Sequence, residues 1–439
     1  MKKSSPARQD CHNALRGVME MSETRRVLRP NRAQLELRPT DLESLLPEDH
    51  RARVVWDWVT GLDLSAFYDE IGSVEGQAGR PAIDPAILLS LWTYATLEAV
   101  GSARALERLC EAHDAYRWIC GGVSVSYRTL ALFRVEHEER LSALLTESVV
   151  QLIDAGLVEM KRVTQDGMRV RASAGAASFR RRKRLRELRS EVAKELAALR
   201  RELDADPAAS TRRERAAREW AAKDRLRRVR EALKQLEQVE AKKTAAEKEE
   251  ARASTTDPEA RVMKMADGGF RPAYNAQLAS DSETGVIVGV AVTNAGRDPG
   301  ELAPMRQQLE RCYGRAPAEM LVDGGYVALH VIEAIEAEGC RIYAPPMRPR
   351  DPGRDPFRPL PNDTPAVVRW RRRMGTAGGK KKYRKRCEGE CLNAQARNRG
   401  LWQLLVRGAH RVRCVLLLHG LAHNAMRTHA LRRAVAEAA

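Results

Sequence analysis

The sequence predicts an α/β protein in which an all-helical region comes first and a long helical hairpin interrupts the sheet-forming part. Three observations support this class. Apolar residues repeat at helical spacing within residues 85–135, strand-like runs alternate with helical ones from residue 163 onward, and a charged segment with a leucine repeat follows the first strand. The chain of 439 residues is long enough for two or three domains.

The composition favours a polyanionic partner. Lysine and arginine together number 76 against 59 aspartates and glutamates, which gives a formal net charge of +17 and points to nucleic acid. No apolar run approaches the roughly 20 residues that span a bilayer, and the eight scattered cysteines predict reduced thiols. We therefore expect a cytoplasmic, nucleoid-associated protein that makes no membrane contact.

Residues 1–40 are predicted to form a partly disordered tail, and residues 41–155 a helical domain. Asp84 before a proline, Ser102 and Ser126 each have the character of a helix N-cap. The third helix would carry Arg128 and Arg134, and three short helices with a cationic face favour a helix-turn-helix arrangement that binds DNA. An ordinary helical bundle with solvated arginines fits the same pattern.

Residues 178–255 are predicted to be an inserted coiled-coil hairpin. Its apolar residues recur at alternating steps of three and four on either side of a break at 204–207. They are Leu185, Leu188, Val192, Leu196, Leu199 and Leu203, followed by Leu226, Val229, Leu233 and Leu236. A seam of this kind serves equally for folding on itself and for pairing with another subunit.

The sheet-forming part alternates strands and helices. Strands are predicted at 163–170, 274–280, 285–293, 320–322 and 341–344, with helices at 301–313, 327–338 and 401–432. Residues 347–380 are rich in Pro, Arg and Gly, which predicts a loop that orders on DNA. The last residues, 433–439, are expected to form a tail.

Four chemically distinctive residues lie close together near the C-terminus. At about 100° per residue, one helix would place Tyr383, Arg386, Glu390 and Arg397 on nearly one face. A carboxylate framed by cations suits a site that holds metal ions and attracts a phosphodiester. Tyr383 also lies within a basic run, an arrangement that indicates stacking on an unpaired base, although such a run alone is usually a solvated face.

Two upstream aspartates complete a candidate acidic site. Asp166 lies in the first predicted strand, and Asp323 follows a short apolar run typical of a buried strand. Each precedes a glycine, and Asp-Gly taken alone favours a turn. Asp267 precedes two glycines and rivals Asp323, but a polar run precedes it. Glu388 is close to Glu390 in sequence, although it would lie about 200° away around a helix.

These residues resemble the motifs of a known family. The pattern Y-x2-R-x3-E-x6-K is the signature of a large group of bacterial insertion-sequence transposases of the DDE type, and here Arg397 replaces the lysine. Arginine keeps the charge but presents a planar fork in place of a point charge. The resemblance extends to residues 164–170, to residues 319–326 and to the helical region 79–137.

The resemblance implies a ribonuclease H-like catalytic domain formed by residues 156–177 and 256–432. In it, Asp166, Asp323 and Glu390 would be the catalytic residues and would bind two Mg²⁺ or Mn²⁺ ions. The implied DNA-binding residues are Tyr383, Arg386, Arg397, Arg128 and Arg134.

The implied function is that of a transposase, which binds the terminal inverted repeats of an insertion sequence. It would catalyse metal-dependent strand cleavage and strand transfer as a homodimer or larger assembly on double-stranded DNA. The alternative is a catalytically inactive DNA-binding protein descended from such an enzyme. A basic coiled-coil scaffold would leave the carboxylates unexplained.

A zinc site is a weaker alternative. Cys387 and Cys391 form one pair at i, i+4, and His419 and His423 form another. Helical Cys and His residues are more often packed or capping residues than ligands.

Overall fold

The computed structural model describes residues 41–73, 81–205, 212–349, 351 and 353–438. All of the described residues except Asp41 belong to one compact unit, Leu42–Ala439. The predicted N-terminal tail lies outside the described residues. Within them, no helix is both long enough and apolar enough to cross a membrane.

Among the described residues up to 154, seven helices follow a short 3₁₀ turn at Glu43–Leu45. They are α1 (Arg51–Thr60), α2 (Ser65–Tyr68), α3 (Pro85–Leu97), α4 (Ala103–Ala112), α5 (Asp114–Cys120), α6 (Tyr127–Glu136) and α7 (Glu138–Asp154). The predicted N-caps are confirmed: the side chains of Asp84, Ser102 and Ser126 accept backbone hydrogen bonds at the starts of α3, α4 and α6. Every residue of α3 is buried, so this helix is the centre of the region.

The rest of the chain contributes eight strands and nine further helices to the described structure. The strands are β1 (Arg162–Arg171), β2 (Phe179–Arg180), β3 (Ala253–Ser254), β4 (Arg261–Lys264), β5 (Phe270–Asp281), β6 (Ile287–Thr293), β7 (Glu319–Leu321) and β8 (Arg341–Tyr343). The helices are α8 (Arg182–Ala205), α9 (Arg212–Ala241), α10 (Ala245–Lys248), α11 (Leu302–Tyr313), α12 (Leu329–Ala337), α13 (Pro365–Gly375), α14 (Ala377–Arg384), α15 (Cys387–Asn398) and α16 (Ala409–Ala438).

The main sheet is mixed, with strand order β4-β5-β1-β7-β8 and β6 also paired to β5. β5 is antiparallel to β1, β4 and β6, whereas β1, β7 and β8 run parallel. Side chains alternate between the two faces of a strand. One face, including Met168 and Leu278, packs with α16 and the N-terminal helices, and the other, including Val163 and Ala279, packs with α11 and α12. The sheet therefore lies between two apolar cores.

Helices α8 and α9 pack against each other along the predicted leucine repeat. Leu185 lies in one apolar cluster with Leu233 and Leu236, and Val192 lies in a second with Leu226. The helices follow β2 and precede β3, which pair with each other in antiparallel fashion. The two helices are thus joined to the main sheet through this short two-stranded base.

Two sequence predictions in the C-terminal part were wrong. Residues 365–380, within the predicted loop, belong to helices α13 and α14, because Pro365 opens a helix whose Val367, Trp370 and Met374 are buried at helical spacing. Residues 401–408, predicted as helical, are not a helix, and Gln403 instead forms a bridge with Arg171 at the end of β1. The long helix that follows, α16, starts only at Ala409.

The buried carboxylate of Glu319, at the start of β7, forms ion pairs with residues of β1, β8 and α14. Glu319, whose side chain is 1% exposed, pairs with Arg162 of β1 at 2.7 Å, Lys382 of α14 at 2.6 Å and Arg341 of β8 at 3.1 Å. Burial alone would raise the pKa of Glu319, but the hydrogen bonds and charges of Lys382 and Arg162 outweigh it and lower the pKa. The ionised carboxylate therefore holds the parallel strands and α14 together.

We expect Glu319→Gln to lower the free energy of unfolding by about 3 kcal/mol, because it removes one partner from a buried ion pair. Glu283→Gln is the matched control, since Glu283 also pairs with Arg162 but its side chain is 55% exposed; its loss should cost less than about 1 kcal/mol. Urea unfolding of both variants measures the difference. Equal losses would show that the buried cluster contributes nothing beyond a surface ion pair.

Candidate active site

The register of the parallel strands brings the two predicted aspartates side by side. Arg162 pairs with Glu319, and four residues further along each chain stand Asp166 and Asp323. Neighbouring strands lie about 4.8 Å apart, and β7 has ended where β1 continues. The negative charge of Asp323 accordingly raises the pKa of Asp166. The two carboxylates thus form a like-charged pair at the edge of the sheet.

The Asp166 carboxylate is held by hydrogen bonds in a largely desolvated place. One oxygen accepts from the backbone N–H of Gly167 at 3.0 Å, and the other accepts from the Asn393 amide of α15 at 2.9 Å. Burial is the main cause that raises the pKa of Asp166, whereas Arg386 and these hydrogen bonds lower it and Asp323 raises it further. Together these effects raise the pKa of Asp166, so a positive charge next to this carboxylate would stabilise its ionised form.

Asp323 is fixed by a tight turn. It caps a 3₁₀ turn, Gly324–Tyr326, and its Oδ1 accepts from the backbone N–H of Gly325 at 2.8 Å. Tyr326, at the end of the turn, is buried and donates its hydroxyl hydrogen bond to Gln277 of β5. The tyrosine therefore anchors the turn that carries Asp323.

A buried polar network supports β1 on the side opposite to α15. Gln277 accepts from Gln165 at 2.9 Å and donates to Asp298 at 3.0 Å, and Asn275 also donates to Asp298, at 2.6 Å. A Cβ on Gly167 would lie 2.5 Å from Gln277 Nε2 and 2.7 Å from Asp298 Oδ1. Gly167 is thus required for close packing inside a strand, and Asp166-Gly167 is not a turn.

Helix α15 lies directly on β1 because one of its residues lacks a side chain. A Cβ on Gly389 would lie 2.7 Å from Thr164 Cγ2 and 3.5 Å from Asp166 Cβ. The same helix carries Glu390 next to this contact and Asn393 one turn further on. The close approach therefore brings the predicted glutamate to the strand that carries Asp166.

Glu390 is ion-paired with Arg386 and is otherwise open to solvent, with its side chain 58% exposed. The Arg386 guanidinium is mostly buried and lies 5.7 Å from the ring centre of Tyr383. Burial by itself would lower the pKa of Arg386, but Tyr383, Glu390 and Asp166 outweigh this effect and raise the pKa. Arg386 thus supplies the positive charge between the acidic residues.

The prediction of one continuous helix through this motif was wrong. Helix α14 ends at Arg384 and α15 begins at Cys387. Hydrogen bonds of the i→i−3 type, from Arg386 N to Tyr383 O and from Gly389 N to Arg386 O, tighten the chain between them. Tyr383 on α14 is half-buried; burial is the main cause that raises its pKa, and the charges of Asp323 and Glu390 raise it further. Arg397 is exposed near the end of α15.

The rival carboxylates lie elsewhere in the described structure. Asp267 is in the β4–β5 turn, where Arg271 donates to both of its oxygens at 2.7 Å. Glu388 is exposed on α15. Asp267 is therefore engaged in an ion pair within a turn.

The described residues contain no group of three or more His, Cys, Asp or Glu side chains that could hold a metal ion. The like-charged pair of Asp166 and Asp323 has the oxygen chemistry that suits a divalent cation, whereas Glu390 is turned to Arg386. The zinc alternative has no support here, because Cys387 is exposed while His423 is buried and bonds to the carbonyl of Gly285 at 2.9 Å.

Sequence reasoning missed several residues that shape this site. Gly389 and Asn393 flank Glu390 at i−1 and i+3, a spacing that would have indicated the face of α15 turned to β1. Gln277 and Asp298 carry no comparable signal, because they meet β1 only through sheet pairing and a loop.

Family comparisons agree with this architecture. The Transposase domain (DUF772) matches residues 40–136, and the Transposase DDE domain matches residues 237–425. The second match contains Asp323 and Glu390, and Asp166 lies ahead of it. It implies a ribonuclease H-like fold, in keeping with the mixed sheet. No curated protein sequence and no solved structure matched the chain significantly.

We expect Gly389→Ala to destabilise the protein, because overpacking typically costs about 1–3 kcal/mol and exceeds the helix propensity gained. Gly378→Ala on α14 is the control, since its nearest neighbouring atom would be 4.0 Å from the new Cβ. That change should stabilise the protein by up to about 1 kcal/mol. Urea unfolding compares them, and shifts of the same sign would contradict the close contact of α15 with β1.

Proposed function

Because the chain belongs to the insertion-sequence transposases of the DDE type, we propose that it binds the terminal inverted repeats of such an element and catalyses metal-dependent cleavage and joining of DNA strands. One observation carries the catalytic part of the proposal. The β1–β7 register sets Asp166 beside Asp323, and α15 carries Glu390 across the same strand.

Asp166, Asp323 and Glu390 are the residues that would hold two Mg²⁺ or Mn²⁺ ions. Bound ions would supply activation of the attacking hydroxyl and charge stabilisation at the leaving oxygen. Burial and the charge of Asp323 both raise the pKa of Asp166, and a bound cation would favour the ionised carboxylate, which supports this role. Glu390 would have to leave Arg386 to join the other two carboxylates, and Arg386 would then be free to attract a phosphate.

Each step of the reaction exchanges one P–O bond for another. In hydrolysis, water forms a P–O bond to the phosphorus at the end of the element as the bond to the 3′-oxygen breaks, which leaves a 5′-phosphate and a 3′-hydroxyl. In strand transfer that hydroxyl forms a new P–O bond to target DNA as the target's own 3′-oxygen leaves, so no nucleotide cofactor is needed.

The five proposed DNA-binding residues differ in how freely they are displayed. Arg128 is exposed in the first turn of α6, with its guanidinium 5.9 Å from the ring centre of Tyr127. Arg134 lies 4.6 Å from the ring centre of Trp92, donates to the carbonyl of Gly101, and has its pKa lowered to about 10 by burial. Arg128 is therefore the better candidate of the two for contact with a phosphate.

Of the remaining three, Arg386 and Tyr383 lie at the candidate active site. Arg386 is adjacent to the carboxylates, and Arg397 is exposed two helical turns from Glu390. Tyr383 would stack on an unpaired base near the cleaved end. Its ring already packs beside Arg386, which keeps it oriented.

Each part of the chain then has a role. Residues 41–155 would bind the element ends, and residues 156–177 and 256–432 would carry out the chemistry. The α8–α9 pair within residues 178–255 would support assembly of a homodimer or larger complex, since two DNA ends must be held together for joining.

We expect Asp323→Asn to reduce Mg²⁺-dependent nicking of an end-bearing DNA fragment by more than about 100-fold, because losing a ligand exceeds the loss from an outer-shell partner. Binding of the fragment should be nearly unchanged. Asp267→Asn is the control, because it removes a carboxylate from a similar Asp-Gly-Gly sequence outside the site; it should nick at the wild-type rate.

Nicking assays and gel-shift binding measure the two properties separately. Equal nicking by wild type and both variants would reject Asp323 as a catalytic residue. Binding by the wild type without any nicking would favour the inactive, transposase-derived DNA-binding protein.

A further inference from the structure

A large groove lies on the side of β1 opposite to α15. It has a volume of about 1000 Å³ and runs between the end of α9, strand β4, the start of β5 and the loop after β6. The described residues that line it include six cations and no aspartate or glutamate. The cations are Arg169, Lys242, Lys243, Arg261, Lys264 and Arg297.

Four of these cations form no salt bridge within the part of the chain that the structure describes. There, Lys242, Lys243, Lys264 and Arg297 form no ion pair within 4 Å. Lys242, Lys264 and Arg297 are exposed. Positive charge that is concentrated in a concave surface attracts anions more strongly than the same charge spread over a convex one.

The other two cations are fixed in place by neighbouring groups. Arg169 pairs with Asp298 at 3.5 Å and donates to the carbonyl of Gly296 at 3.0 Å. Arg261 donates to Gln235 of α9 at 2.6 Å. The floor of the groove is therefore rigid, whereas its rim carries free charges.

An exposed aromatic ring accompanies the charges. Phe270 is 69% exposed and pairs directly with Lys264 across the β4–β5 hairpin. Val262, on the same strand as Lys264, is also exposed. A ring beside cations is the combination that binds nucleic acid backbones together with unpaired bases.

The groove is near the candidate active site. Arg169 stands three residues after Asp166 on β1, a distance of about 10 Å along the strand. Successive phosphates of one DNA strand advance about 3.4 Å along the helix axis. The step of three places the two side chains on opposite faces of β1, so DNA cut at Asp166 would pass around the edge of β1, beyond the end of its pairing with β7, to reach the groove.

We propose that this groove binds the phosphodiester backbone of the DNA that flanks the cleavage site, in addition to the five residues proposed above. The inference rests on the proposed function, because it takes the cleaved DNA as the polyanion. The backbone in the groove can belong to the flank of the element end or to target DNA, which share this chemistry.

The test is the salt dependence of DNA binding by a triple variant, Lys242→Ala/Lys264→Ala/Arg297→Ala. Loss of three phosphate contacts should reduce the slope of log K against log salt by about 2–3. The control, Arg189→Ala/Lys194→Ala/Arg230→Ala, removes the same charge from exposed residues of α8 and α9 away from the groove. Its slope should equal that of the wild type.

Two duplexes of equal length distinguish the sources of the backbone. One carries the DNA that borders the reading frame, and the other has an arbitrary sequence. A reduced slope on the first alone assigns the groove to the element flank, and on the second alone to target DNA; a reduction on both assigns it to either backbone. An unchanged slope on both duplexes, or an equal reduction in the control, would overturn the proposal.

Failure of this inference is distinguishable from failure of the proposed function. If the wild type nicks DNA in a manner that depends on Asp323 while the triple variant keeps the wild-type slope, only the groove proposal is rejected. If the wild type binds neither duplex, both proposals are rejected.

Discussion

The candidate site depends on how closely α15 approaches β1. Gly389 makes this possible, because any side chain there would overlap Thr164. From this contact follow the hydrogen bond of Asn393 to Asp166 and the position of Glu390 beside the sheet edge. Helix α15 can therefore lie directly on β1 only because Gly389 has no side chain.

The site also brings together charges that repel each other, and the surrounding structure compensates for this. Asp166 is largely desolvated and has Asp323 as a neighbour, and Arg386 partly neutralises the charge of Asp166. Away from this pair, Glu319 at the start of β7 forms ion pairs with three cations. Ion pairs and the buried network around Gln277 therefore hold the strands in the register that the acidic pair requires.

The net positive charge of the chain is distributed unevenly. Many arginines of α8 and α9 pair with glutamates on the same two helices, such as Arg225 with Glu195 at 3.3 Å. The groove beside β4 has cations without acidic partners among the described residues that line it. The local excess of positive charge, more than the net charge of the chain, decides where a polyanion binds.

The sequence by itself determined the helix starts at Asp84, Ser102 and Ser126, because capping is a local interaction between neighbouring residues. It also singled out Asp166, Asp323 and Glu390 as candidate catalytic residues, through their spacing and the resemblance to a known family. Whether these three act together stays a prediction, and their present arrangement could not be read from spacing. Tertiary structure alone joined Asn393 to Asp166 across 227 residues, broke the motif helix before Cys387 and turned Glu390 to Arg386. Such contacts depend on strand register and helix packing, which no local pattern encodes.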